Sequence, residues 1–214
     1  MPLLYLAFLS ILLITIIQLG IFSIVLAKLG LSPDSAVLLL ICTLVGSLIN
    51  LRLFTIDSSF EKIPHDYLIP RLLFKPIQAN PGKTIIALNV GGALIPVSFS
   101  LYLMTLHSIS FLNLVTAILF VTFISYSFSR PIKGIGIGIP VFIAPVTAAL
   151  SALMLDPENS APLAYICGTL GVLIGADILR LKDIKQMGVP TAAIGGAGTF
   201  DGIFFTGIIA VLLA

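Results

Sequence analysis

Thr191-Ala192-Ala193-Ile194-Gly195-Gly196-Ala197-Gly198-Thr199-Phe200-Asp201-Gly202 is the stretch on which the fold of this chain turns. Residues 191–198 hold three glycines and three alanines. Each glycine forfeits roughly 1 kcal/mol of helix propensity relative to alanine. The run Gly195-Gly196-Ala197-Gly198 is therefore expected to be re-entrant or unwound, with a helix beginning near Thr199. Thr199 would cap that helix, and Asp201 would lie in its first turn, where the macrodipole favours a carboxylate. A straight helix from Pro190 would instead carry Asp201 about 16 Å along its axis.

Outward from that stretch the chain is almost without charge. Its 214 residues are 58% hydrophobic and only 9% charged, against about 25% charged in an average soluble domain. Mean hydropathy is +1.18. These values predict an all-α, polytopic membrane helix bundle forming a single integral membrane domain over residues 1–214. Cys42 and Cys167 fall in apolar runs without metal-ligand spacing and read as small core residues. His65 and His107 fall in predicted loops, which argues against a His-based metal site. The first apolar run is too long for a cleavable signal peptide and lacks a basic n-region.

Apolar runs long enough for a hydrocarbon core of ~30 Å predict about seven transmembrane helices, near 3–27, 35–54, 84–106, 109–128, 135–155, 161–181 and 190–213. Of the 11 Lys and Arg, only Lys28 falls on one side of this arrangement. Arg52, Lys62, Arg71, Lys75, Lys83, Arg130, Lys133, Arg180, Lys182 and Lys185 fall on the other. The positive-inside bias then predicts the N-terminus in and the C-terminus out. A cytoplasmic loop is expected at about 55–83, where Pro64, Pro70, Pro76 and Pro81 disfavour helix. Within it, residues 71–75 read as an ordered connector or as an edge open to a peptide. No internal repeat is evident.

A second acid closes a matching segment, Gly168-Thr169-Leu170-Gly171-Val172-Leu173-Ile174-Gly175-Ala176-Asp177. A carboxylate in a bilayer core costs roughly 3 kcal/mol on insertion scales and is usually kept for a function. If the glycine run is unwound, Asp177 and Asp201 lie at similar depth. Two touching carboxylates share a proton, because both cannot ionise cheaply. One can then activate water while the other protonates a carbonyl oxygen. Two structural alternatives stand beside this. Asp177 pairs with Arg180 at i+3 near the interface, and Asp201 is satisfied by amides of the glycine turn.

Asn89 precedes Gly91-Gly92-Ala93-Leu94-Ile95-Pro96. It reads either as an interhelical hydrogen-bonding residue at a close-packed crossing or as a polar wall of a cavity. Gly134-Ile135-Gly136-Ile137-Gly138-Ile139-Pro140 lacks the Lys-Ser/Thr ending of a phosphate loop and suggests a narrow, extended backbone.

Asn89 to Pro96, Gly175-Ala176-Asp177 and Gly195 to Gly202 together resemble a prokaryotic membrane family, the domain of unknown function 1614. The resemblance covers most of the chain from about residue 84 and implies an integral membrane protein. A more distant resemblance is to the Gly-x-Gly-Asp intramembrane aspartyl proteases, the presenilin and signal-peptide-peptidase group. Their two aspartates lie on successive spans joined by a cytoplasmic loop. Here Ala176 stands before Asp177, and Asp201 follows Gly-x-Gly-x-x. That resemblance implies an intramembrane aspartyl protease or related hydrolase with Asp177 and Asp201 as its catalytic dyad. Gly198 and Gly202 would admit a substrate backbone, and Asn89 would line the cavity. No cofactor, metal or nucleic acid is expected. The partners expected are a transmembrane peptide or protein substrate and the lipid bilayer, in a multi-pass protein of the cell membrane. The rival reading is a proton- or cation-coupled transporter or channel, which uses broken spans and intramembrane acids too.

Overall fold

The computed structural model describes residues 20, 24–58, 82–132, 136–196 and 202–214. The elements in order are helix α1 (Pro33–Gly46), strand β1 (Asn50–Asp57), strand β2 (Lys83–Asn89), a π-helical turn (Val90–Leu94) and helix α2 (Ile95–Leu106). Helix α3 (Phe111–Phe128), the short strands β3 (Arg130–Ile132) and β4 (Gly136–Gly138), and helix α4 (Ile143–Leu155) follow. Helix α5 (Ser160–Val172) then widens into a second π-helical turn (Leu173–Ile178). A 3-10 turn (Asp183–Gln186), strand β5 (Thr191–Ile194) and helix α6 (Gly202–Leu213) complete the chain. Residues 24–28 are also helical.

This architecture corrects the all-α bundle of about seven transmembrane helices, and the orientation counted from those spans goes with it. Among the described residues two helices are long and apolar enough to cross a membrane, Phe111–Phe128 and Ser160–Ile178. The remaining apolar helices have fewer than 18 residues, among them Pro33–Gly46, Ile143–Leu155 and Ile203–Leu213. The reason lies at the ends of the apolar runs. Residues 50–54, 84–89 and 191–194, each expected at a helix end, are strands. Apolar runs rich in β-branched residues, such as Thr84-Ile85-Ile86, suit a buried strand as well as a helix, and periodicity alone does not separate the two. Most of the first predicted span, and residues 59–81 of the predicted loop, lie outside the described residues.

The strands form a small layer at one end of the helices. β2 is central, antiparallel to β1 and parallel to β5. Ile85, Ile86 and Ala87 of β2 are buried although they point alternately to the two faces, as expected for a strand covered on both sides. Ile86 packs with Ile184, Met187 and Val189. β3 and β4 make a separate antiparallel hairpin whose Ile137 also reaches this cluster.

In the helical layer α5 is the centre and α3 the rim. The α5 window is 72% buried and the α3 window 22%. α5 lets its neighbours approach through glycine. A methyl group at Gly171 would lie 2.6 Å from Val121 Cγ1, and one at Gly175 would overlap the Thr122 carbonyl. Ala148, Ala164, Cys167 and Ala210 continue this small-residue core, and Phe99 meets Tyr165 edge-on with ring centroids 5.0 Å apart. Cys167 is buried there as expected, whereas Cys42 is exposed on α1.

Charge sorts to the two ends. Helices α2 to α6 contain no Asp, Glu, Lys or Arg. At the strand end Arg52, Lys83, Arg130, Arg180, Lys182 and Lys185 outnumber Asp57, Asp177 and Asp183. At the other end are Asp34, Asp156, Glu158 and Lys28, whose ammonium donates to the Val211 carbonyl at 3.3 Å.

Candidate functional site

β2 and β5 are parallel neighbours, and both run into glycine-rich turns at their carboxyl ends. β2 leads through Asn89 into Val90-Gly91-Gly92-Ala93, and β5 leads into Gly195-Gly196. The tripeptide Gly-Gly-Ala occurs at both places, as Gly91-Gly92-Ala93 and Gly195-Gly196-Ala197. The carboxyl edge of parallel strands, where helices begin, is where α/β proteins gather ligands. The repeat is short, and its meaning shows only when the strands lie side by side.

The two turns are in contact. A methyl group on Gly92 would overlap the Gly195 carbonyl, and one on Gly195 would stand 2.6 Å from both Ala93 Cβ and Ala93 N. Gly195 and Gly196 take φ of +81° and +86°, a region open to glycine and costly for residues with a Cβ. The Gly196 amide donates to the Ala193 carbonyl at 3.1 Å and closes the turn. Residues 195–196 are thus not helical, in agreement with the expected break, and the strand before them was not foreseen.

Asn89 is fully buried. Its Oδ1 accepts from the Gly92 amide at 2.6 Å and caps the π-helical turn. Its Nδ2 donates to the Ser47 carbonyl at 2.7 Å and to Asn50 Oδ1 at 3.1 Å. One side chain therefore joins the end of α1, the start of β1 and the first glycine turn. The same region holds a close crossing, because Gly46 of α1 lies against Gly91.

Asp177 is partly buried in the second π-helical turn. Its Oδ2 accepts from the Gly195 amide at 2.8 Å. The carboxylate is thereby fixed on the glycine turn that begins the approach to Asp201. Arg180 turns elsewhere. It pairs with Asp183 at 2.9 Å and donates to the Tyr126 carbonyl and to the Ser129 carbonyl and hydroxyl. Its guanidinium also stacks 4.2 Å from the centre of the Tyr126 ring. This arginine clamps the end of α3 to the segment after Asp177.

Gly202 is the first helical residue of α6. Gly198 and Asp201 lie outside the described residues. Among the described residues no group of three His, Cys, Asp or Glu side chains gathers where it would hold a metal ion. An open apolar groove of about 240 Å³ between α1 and α2, lined by Leu38, Cys42, Phe99 and Tyr102, shares none of the residues of the Asn89–Asp177 region.

The model of the family described as "Protein of unknown function (DUF1614)" matches residues 44–213. The chain belongs to this family. The match takes in the end of α1, both glycine turns and both aspartates. No curated protein and no solved structure matches this chain.

Proposed function

We propose that this DUF1614 protein is embedded in a lipid bilayer and works as a paired-aspartate hydrolase on a membrane peptide, with Asp177 and Asp201 sharing the acid–base roles. The observation that carries the site is the 2.8 Å bond from the Gly195 amide to the Asp177 carboxylate. It ties one acid to the turn six residues before the other. The amide fixes the position of the Asp177 carboxylate, which suits the member of the dyad that orients and activates water. Asp201 precedes the first residue of α6 in sequence and would supply the proton to the carbonyl oxygen. Gly198 and Gly202 would leave room for the substrate backbone, and Asn89 would hold the first glycine turn against the second.

Embedding is supported by two features that a water-soluble chain avoids. Phe111, Leu112 and Phe123 of α3 are 79%, 73% and 65% exposed, and large contiguous apolar surface marks contact with lipid or protein. The uncharged helical layer also lies between charged ends, as a bilayer requires. α3 and α5 with its π-helical turn are long enough to cross the hydrocarbon.

The test is cleavage of a panel of transmembrane peptides by purified protein in lipid. Asp177→Asn and Asp201→Asn should each abolish turnover while leaving the fold intact, and the double change should cost no more than either single one. A second reading is favoured by the acid Asp177 inside the apolar helix Ser160–Ile178, since carriers also keep acids at membrane depth. Wild-type protein that cleaves nothing, yet moves protons or cations into liposomes in a manner lost with Asp177→Asn, would replace the hydrolase with a carrier.

A further inference from the structure

β1 carries a surface that suits neither bulk water nor a protein core. Leu51, Leu53 and Phe54 are 45%, 49% and 48% exposed. The register shift between Arg52 and Phe54 marks a bulge, and bulges re-aim side chains along a strand. This apolar strip does not start at β1. Leu44 and Val45 on α1, and Leu48 and Ile49 after it, are exposed as well, so exposed apolar residues recur along the chain from the end of α1 into β1. Cations stand at the same end of the molecule. Arg52 lies within the strip, Lys83 is on the paired strand, and Arg130 opens the β3–β4 hairpin, all exposed. None of the three forms an ion pair with a described residue. Arg52 donates instead to the Thr55 hydroxyl at 3.1 Å.

Exposed apolar side chains beside an excess of cations are what the boundary between acyl chains and phosphate headgroups accommodates. The apolar groups sink into the boundary, and the long basic side chains reach phosphate. We propose that β1, with Lys83 of the paired strand and Arg130 at the same end of the molecule, is an interfacial docking surface for anionic phospholipid headgroups of the bilayer that holds the helices. Two features select lipid over a protein partner: the strip continues the exposed apolar surface of α1, and its three cations outnumber its one acid, Asp57, which stands opposite Lys83 in the register. The proposal rests on the bilayer reading above and goes beyond it by assigning the strand layer to one leaflet surface and one lipid charge class.

The chain has no tryptophan, so a single one reports its own surroundings. Phe54→Trp and, separately, Phe123→Trp are placed in the full chain and reconstituted in nanodiscs. The lipids carry bromine near the headgroup end of the acyl chain, on either phosphatidylglycerol or phosphatidylcholine at equal mole fraction. Quenching of F54W should be about twofold stronger or more with brominated phosphatidylglycerol. That preference should vanish in the R52Q/K83Q/R130Q background and in 1 M salt. F123W should be quenched equally by both lipids. Quenching of F123W without quenching of F54W would overturn the docking surface and leave the bilayer reading standing. Equal quenching of F54W by both lipids would overturn the charge selection. Failure of F123W to be quenched by either lipid would sink the bilayer reading itself.

Discussion

Asn89 shows how much one residue can decide in this fold. Its side chain satisfies the Gly92 amide, the Ser47 carbonyl and Asn50 at once, the first two away from solvent. Asn89→Ala would leave the Gly92 amide and the Ser47 carbonyl buried without that partner, each at a cost of about 1–3 kcal/mol. The expected outcome is a loss of roughly 3 kcal/mol in reversible unfolding by denaturing detergent, with the helices retained by circular dichroism until the lowered transition. A loss below about 1 kcal/mol would mean that water replaces the side chain. The sequence marked Asn89 and Asp177 as residues of interest from their apolar surroundings. It did not reveal that Asn89 bonds backward to Ser47 and Asn50. Those partners are 42 and 39 positions away, and nothing in local spacing encodes them. The pairing of Arg180 with Asp183 was equally hidden, because Asp177 and Asp183 both stand three residues from it in sequence.

At the scale of elements, glycine sets the distances between helices. Gly171 and Gly175 let α5 and its π-helical turn meet α3 at backbone distance. Gly175→Ala would press a methyl group on the Thr122 carbonyl and Ser125 Cβ. Neither is the yielding end of a long side chain, so a destabilisation of about 1–3 kcal/mol is expected. Gly82→Ala is the contrast. A methyl group there meets nothing within 4 Å, and only its φ of +78° opposes the change, which limits the loss to about 1 kcal/mol. Comparing the two unfolding transitions separates crowding from backbone strain. Equal losses would mean that the α3–α5 crossing relaxes freely. The strands show what the sequence left open at this scale. The stretch 191–194 was expected to be unwound or part of a helix, and it is β5. Its partner β2 is more than 100 residues away, and a four-residue strand has no identity until that neighbour supplies the hydrogen bonds.

For the whole molecule the governing fact is a helical layer without charges between two charged ends. In water the exposed phenylalanines and leucines of α3 would be an association surface; in lipid they are ordinary. The protein is expected to sediment with membranes and to resist extraction by alkaline carbonate. Phe123→Arg, which adds a cation near the middle of α3, should reduce membrane insertion by a margin corresponding to about 3 kcal/mol, seen as a drop in the carbonate-resistant fraction. Recovery of wild-type protein in the soluble fraction without detergent would refute the bilayer reading.

The amino-acid sequence by itself determined the apolar character of the chain, the segregation of its cations and the break at Gly195-Gly196. Composition, charge position and glycine propensity are local properties, and they act whatever the rest of the chain does. Tertiary structure alone decided that the ends of several apolar runs become strands. It alone decided that the two Gly-Gly-Ala turns meet at the carboxyl edge of a parallel pair, and that Asp177 receives the Gly195 amide. Each of these needs hydrogen-bond partners brought together from distant parts of the chain. An apolar run in isolation satisfies its own backbone most readily as a helix, and it becomes a strand only where a neighbour is held beside it.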